Sequence, residues 1–232
     1  MGRSNPQQNS NPAQRFYEWD GQSGQIRYYD KEQKQNIPLE LPFTFLLIEQ
    51  AAKITGWNDQ SDSAIFSNEI LQTNEDQLIV KAHKGGELCR GLYAEIKESV
   101  KSKGGNFTAS LYIACKDDND QLYLANLSLK GKALSAWMDF RKESGMKVWD
   151  NAISIDSYTE GSKGSITYRM PSFKLREIAP ETNEQAKEMD RQLQGFLQSK
   201  KMKVEPEQPQ EQSAEQSDTF DDKVDNDDDL PF

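Results

Sequence analysis

A mainly β domain with a few helices, flanked by two polar termini, is the fold class that this sequence predicts, and three observations predict it. Short segments rich in aromatic and β-branched residues recur along the middle of the chain, separated by Gly, Asn and Asp clusters. One of them, NFTASLYIACK (106–116), alternates with period two. Both ends are built from Asn, Gln, Pro, Ser, Asp and Glu and offer little apolar surface to offset the entropy of ordering.

Residues 1–14, MGRSNPQQNSNPAQ, read as a disordered arm. RFYEW (15–19), a DGQSG turn and QIRYY (25–29) form a first hairpin. An extended stretch runs from Ile37 to Ile48, with Pro38 and Pro42 bending it or placing it at an edge, because proline donates nothing to a sheet ladder. AIFSNEI (64–70) and QLIVKAH (77–83) are two more short strands. The period then changes: Leu92, Ile96 and Val100 share a helical face over residues 91–104, and Gly104-Gly105 stops the helix.

The clearest hairpin joins 106–116 to QLYLANLSL (121–129) across Asp117-Asp118-Asn119-Asp120. Its first strand places Phe107, Ala109, Leu111, Ile113 and Cys115 on a buried face and Tyr112 and Lys116 on the other. KALSAWMDFRKE (132–143) is an amphipathic helix, and a last β pair spans about Val148 to Tyr158 and Ser165 to Ile178. Met189, Leu193, Phe196 and Leu197 share one face of a terminal helix at 181–201. The expected division is therefore an arm (1–14), a β domain (15–180), a helix and linker (181–204) and a disordered acidic tail (205–232). Short strands, long hairpins and two small internal helices favour a small antiparallel barrel or sandwich; the OB-fold, a five-stranded Greek-key barrel that binds oligonucleotides, is one such fold, which strand count alone does not select.

The net charge of -10 argues at first against a polyanionic partner. Eleven of the 38 acidic residues and one of the 28 cationic ones lie in 205–232, so the tail carries -10 and the remaining 204 residues balance at 27 of each sign. A neutral body accommodates a local basic track. Two cysteines, Cys89 and Cys115, are too few for a disulfide framework or metal cluster and read as reduced thiols. No apolar run approaches the roughly 20 residues of a membrane span, so a cytoplasmic location is expected and no membrane contact.

Catalysis finds little support. His83 is the single histidine, which rules out a two-His metal site, and no phosphate-binding GxxxxGK[ST] loop occurs. The DDND cluster lacks the glycine and distal glutamate of a calcium loop. The expectation is a protein that is not an enzyme and needs no cofactor or metal; a carboxylate-based nuclease remains the enzyme alternative.

The body does carry what single-strand binding requires, cations for phosphates and rings for bases. Arg27, Tyr29 and Lys31 alternate in one segment; Lys81, Lys84 and Arg90 surround one loop; Tyr112 and Lys116 share a strand; Arg169, Lys174 and Arg176 lie on the last strand. Lys163 sits in a Gly/Ser loop, and Trp57 and Trp149 stand beside polar residues, whereas Trp19, Trp137 and Phe140 read as core.

The chain ends Asp227-Asp228-Asp229-Leu230-Pro231-Phe232. This terminus resembles that of the bacterial single-stranded-DNA-binding protein family, which closes on an acidic run followed by Ile-Pro-Phe; Leu230 stands where that family has Ile. The resemblance implies that Phe232 supplies a ring and a free carboxylate to an apolar pocket, and that Asp227 to Asp229 meet its basic rim. A solubilising tail is the plain alternative. RFYEW, YYDKE, LPFTFL, ITGW and IFSNEI are similar to segments of bacteriophage-encoded OB-fold single-strand binders. Together these imply a protein that coats single-stranded DNA in replication, recombination or repair, in a host cytoplasm if phage-encoded, and that recruits a polymerase, helicase, primase or nuclease through its tip. Self-association into a homo-oligomer is compatible with this. The alternative is an adaptor or inhibitor that binds no DNA and occupies the same pockets on replication enzymes.

Overall fold

The computed structural model describes residues 11–203, the side chains up to residue 200. The expected partner-binding tip, Asp227, Asp228, Asp229, Leu230, Pro231 and Phe232, lies outside the described residues, as does most of the expected arm. The arm's last positions are docked: Ala13 is buried and the Gln14 amide donates to the Leu124 carbonyl at 2.8 Å.

Among the described residues eleven strands join in one sheet, more than the five expected of a small barrel. A meander comes first, β1 (Arg15–Asp20), β2 (Gln25–Asp30) and β3 (Gln35–Leu39), all antiparallel. β4 (Phe43–Asn58) is the long central strand. β5 (Ser63–Ser67), β6 (Leu78–Ala82), β7 (Gly86–Gly91) and helix α1 (Tyr93–Ser102) are inserted before the chain returns to pair with β4 through β8 (Gly105–Lys116). β9 (Leu122–Lys130) completes the central hairpin and accepts β1 on its other side in parallel. After α2 (Gly131–Ser144) and the short α3 (Lys147–Asp150), the hairpin of β10 (Ala152–Lys163) and β11 (Ile166–Arg176) pairs with the start of β4. The path then turns back on itself. The Arg169 amide on β11 donates to the Gly21 carbonyl at 2.8 Å, and the Trp19 indole donates to the Arg169 carbonyl at 2.9 Å, so β11 meets the β1–β2 turn.

The main core lies inside this wrapped sheet. Tyr17, Trp19, Ile26, Leu111, Ile113, Leu127, Leu129, Ile153 and Ile155 fill it, and α2 adds the fully buried Trp137. Trp137 packs edge-on to Phe173 with centroids 5.2 Å apart, and its indole donates to Gln50 Oε1 at 3.0 Å, which satisfies the one polar atom of a large buried ring. A smaller core of Ile54, Ile65, Leu78 and Val80 sits under α1 through Tyr93, Ile96 and Val100. Sequence periodicity places Leu92 on that face; Tyr93 takes the buried place instead, and Leu92 is half-buried at the helix start.

The terminal helix α4 (Pro180–Lys203) settles the third core. Proline at its first position suits a site whose amide would have no helical partner. Its face of Ala186, Leu193, Phe196 and Leu197 packs on the outer side of the central strands, against Leu46, Ala114, Leu124 and Tyr112. Three large side chains at ~1.5–3 kcal/mol each hold an otherwise polar helix in place. This corrects the expectation that the central hairpin has one buried face: Thr108, Ser110, Tyr112 and Ala114 are buried as well.

Candidate nucleic-acid interface

The outer face of the sheet has two ends. Cross-strand register defines the open one: Asn106 pairs with Thr55, Thr55 with Phe66, and Phe66 with Lys81, a continuous row across β8, β4, β5 and β6. A parallel row holds Lys130, Thr108 and Lys53. Trp57, two residues beyond Thr55 and opposite Ala64, lies diagonal to Phe66, within the ~7–8 Å at which such neighbours interact. Both rings face solvent, Trp57 at 52 % and Phe66 at 46 % exposure.

Backbone chemistry fixes that position. Gly56 and Gly104 let β4 and the turn after α1 approach closely: a Cβ on Gly56 would lie 2.1 Å from the Gly104 carbonyl oxygen, and one on Gly104 2.1 Å from that of Trp57. The Trp57 amide donates to Gly104 at 3.3 Å. The adjacent Asn58 is buried; its amide donates to the Lys103 carbonyl at 3.0 Å and its oxygen accepts from the Ser61 amide at 2.9 Å, closing the β4–β5 turn. Trp57 thus projects from a constrained hairpin end.

Of the residues expected from sequence, Trp57, Lys81, Lys84 and Arg90 come together on this β4–β7 region. Lys81 is exposed and makes no ion pair among the described residues; Lys84 stands in the β6–β7 turn with its ammonium 3.4 Å from the Asp62 carbonyl; Arg90 pairs with Glu87 at 2.9 Å. Sequence reasoning missed Phe66. The alternation of buried Ser63 and Ile65 with exposed Ala64 and Phe66 in its own strand was the available signal.

The other expected residues lie elsewhere. Tyr29 is exposed on β2, Lys31 follows it in an open turn, and Arg27 bridges Glu18 at 2.7 Å and Asp20 at 2.9 Å. Lys116 pairs with Asp120 at the opposite end of β8. Arg169 pairs with Glu160 and stacks on Tyr158, while Lys174 and Arg176 converge on Asp156 at 3.1 and 2.7 Å. Lys163 is exposed at the tip of the β10–β11 hairpin. Trp149 is half-buried against the core, under the Arg141 guanidinium at 5.2 Å.

Tyr112 is a correction. Its ring is fully buried beneath α4, and its hydroxyl donates to Glu69 Oε2 at 2.6 Å, so it presents no surface to a base. Glu69 also accepts from Ser110 at 2.6 Å and lies 3.8 Å from Lys53 and 3.3 Å from Lys200 of α4. Burial pushes the Glu69 carboxyl up, but the Ser110 and Tyr112 hydroxyls and the two ammonium groups outweigh it and hold it below the ordinary glutamate range. For Lys53 burial wins over the Glu69 attraction, and its ammonium loses protons more readily than a free lysine. Both values fall, which favours the charged form of Glu69 and the neutral form of Lys53, because the carboxylate has two hydroxyl donors besides its charged neighbours.

Among the described residues no group of three or more His, Cys, Asp or Glu side chains is placed to hold a metal ion, and no helix is long and apolar enough to cross a membrane. Cys115 is buried, which pushes its thiol up to about 12, away from the reactive thiolate. The arrangement offers stacking surfaces and cations on a rigid sheet, the equipment of a binding surface. No family model matches this chain, and neither a curated protein nor a solved structure matches it.

Proposed function

We propose that the chain binds single-stranded DNA through the open end of its outer sheet face and recruits replication or repair proteins through its acidic terminus. The observation that carries this is the exposure of Trp57 and Phe66 as diagonal neighbours beside Lys81. Two solvent-facing rings on one rigid surface cost apolar hydration that folding alone would remove; bases stacking on them recover it, at ~1–3 kcal/mol per base.

The connectivity supports the same reading. β9, β8, β4, β10 and β11 pair in that order, with β1 rather than β11 beside β9, and we infer from this path an OB-type barrel with β8 and β9 second and third, enlarged by the β1–β3 meander and the β5–α1 insertion. In such barrels oligonucleotides meet strands two and three between the first and fourth connections. Here those connections are the insertion with Phe66, Lys81, Lys84 and Arg90, and the hairpin tip with Lys163. At the other end of the chain, the Asp227–Phe232 segment supports recruitment by its sequence alone.

Titrating the intrinsic fluorescence with oligo(dT) and with duplex DNA at low salt tests the reading. Trp19 and Trp137 are buried and Trp149 half-buried, so quenching by stacking reports mainly Trp57. Saturable quenching by oligo(dT), weak response to duplex and loss of affinity with added salt are expected. An unchanged spectrum at low ionic strength overturns the proposal. Deleting residues 227–232 is expected to abolish capture of a polymerase, helicase, primase or nuclease while leaving the oligo(dT) response in place.

A further inference from the structure

A second pair of exposed rings lies on the same sheet face, outside the five strands assigned to the barrel. Phe16 on β1 is 53 % exposed and Tyr29 on β2 57 %. Tyr17 pairs with Tyr28, and Phe16 and Tyr29 are the next residues outward from that pair, so their rings flank each other across the strands. Tyr17 and Tyr28 point into the core, where their rings meet edge-on at 5.9 Å, which puts Phe16 and Tyr29 outside.

Register connects the two ring pairs. Glu18, on the face of Phe16, pairs with Ser128 of β9; Ser128 pairs with Ser110 of β8, and Ser110 with Ala51 of β4, whose outward neighbours along the strand are Lys53, Thr55 and Trp57. Between the pairs Ser110, Thr108 and Ala51 are buried, and Asn106, Ser128 and Lys130 reach the surface; Lys130 makes no ion pair among the described residues. Glu18 and Asp20, the acidic groups beside Phe16 and Tyr29, are both engaged by Arg27. The single Arg27 guanidinium offsets one of these two charges, and the Asp30 carboxylate next to Tyr29 accepts from the Glu32 and Gln33 amides at 2.8 Å. Other apolar residues of this face, Leu46, Ala114 and Leu124, are covered by α4, whereas Phe16 and Tyr29 are left open.

We infer that Phe16 and Tyr29 form a second base-stacking subsite, occupied by the same DNA strand that lies on Trp57 and Phe66. This rests on the single-strand-binding reading above and adds the route of the strand, across β5, β4, β8, β9, β1 and β2. Five inter-strand steps of ~4.8 Å and an offset of six residues along the strands, at ~3.4 Å each, separate Phe66 from Tyr29, roughly 31 Å along the sheet. A stacked strand advances ~3.4 Å per nucleotide and needs about nine nucleotides to cover that distance. Both subsites are then engaged by long strands alone, and the linkage between them raises affinity beyond either one.

Length dependence distinguishes this from a single site. Oligo(dT) of about 4 and about 16 nucleotides, the ends of the range for such folds, is titrated against the full chain and against the double variant Phe16→Ala/Tyr29→Ala, with Trp57 quenching as the readout. The variant is expected to bind the long oligonucleotide about fivefold or more weaker and the short one unchanged, corresponding to the lower end of the stacking range. An equal effect on both lengths, or none on the long one, overturns the second subsite while the single-strand reading stands. A change of sedimenting mass in the variant with no length-dependent change in affinity overturns it too, by making the pair a contact between copies. Failure of the unaltered chain to bind either length refutes the reading on which the inference rests.

Discussion

Tyr112 and Trp57 occupy the same outer face of one sheet, yet one is sealed and the other open. At the Tyr112 end, α4 lays Leu193, Phe196 and Leu197 over the strands, and the phenol finds an acceptor in Glu69. At the Trp57 end no helix among the described residues covers this face, and the ring stands in solvent beside Phe66 and Lys81. Strand alternation is identical at the two ends. What differs is whether an element remote in sequence covers the face, and that decides whether an aromatic residue stabilises the fold or is free for a ligand.

The largest expected effect breaks the sealed end. Phe196→Ala removes a buried ring from beneath α4 and is expected to cost about 3–5 kcal/mol of unfolding free energy, measured by chemical denaturation. Trp57→Ala, at the open end, is expected to change stability by no more than ~0.5 kcal/mol while weakening oligo(dT) binding by ~1–3 kcal/mol. If Trp57→Ala destabilises as much as Phe196→Ala, the contrast between the two ends is wrong.

A smaller effect sharpens the role of the polar layer. Tyr112→Phe keeps the ring and removes one donor to a carboxylate that is only 12 % exposed, leaving Glu69 to Ser110, Lys53 and Lys200. A loss of ~1–3 kcal/mol in stability is expected, as for a charged group deprived of a buried hydrogen bond, with oligo(dT) affinity unchanged. Reduced affinity with unchanged stability would return Tyr112 to the binding surface.

Much of this division was legible in the sequence, and its gaps have physical causes. The first hairpin, the central hairpin, helices α1 and α2 and the apolar face of α4 follow from periodicity and turn chemistry, because the residues that determine them are neighbours in the chain. β4 did not read to its full sixteen residues: Glu49-Gln50-Ala51-Ala52-Lys53 lacks the alternation of a one-sided strand, since Gln50 reaches inward to Trp137 while Ala51 and Ala52 are covered on opposite sides. β7 was missed because GELCRG is a short, charged sheet edge with little to distinguish it from a loop. The burial of Tyr112 was unreadable for the same reason that α4's docking was: the helix and the strand lie some eighty residues apart, and nothing local in LYIAC records what will cover it. Trp57 was legible as a polar-loop tryptophan, whereas its partner Phe66 needed the β4–β5 register.

The mildest prediction uses acid to separate the two ends. The Glu69 carboxyl ionises more readily folded than unfolded, so its contribution to stability is complete above the ordinary glutamate value and is lost as pH falls through the lower value of the folded state. Glu69→Gln removes that titration. The stability difference between the unaltered chain and this variant is therefore expected to hold constant from neutral pH down to about 5 and to shrink below it, read by denaturation at each pH. Carboxylates elsewhere titrate in both proteins and cancel in the difference. The open end should not take part: in a Trp57→Ala background the same pH dependence of the difference is expected, since the indole neither titrates nor touches the Glu69 group. A dependence that vanishes in that background would mean that the two ends of the face are coupled, and that binding at one is felt by the helix sealing the other.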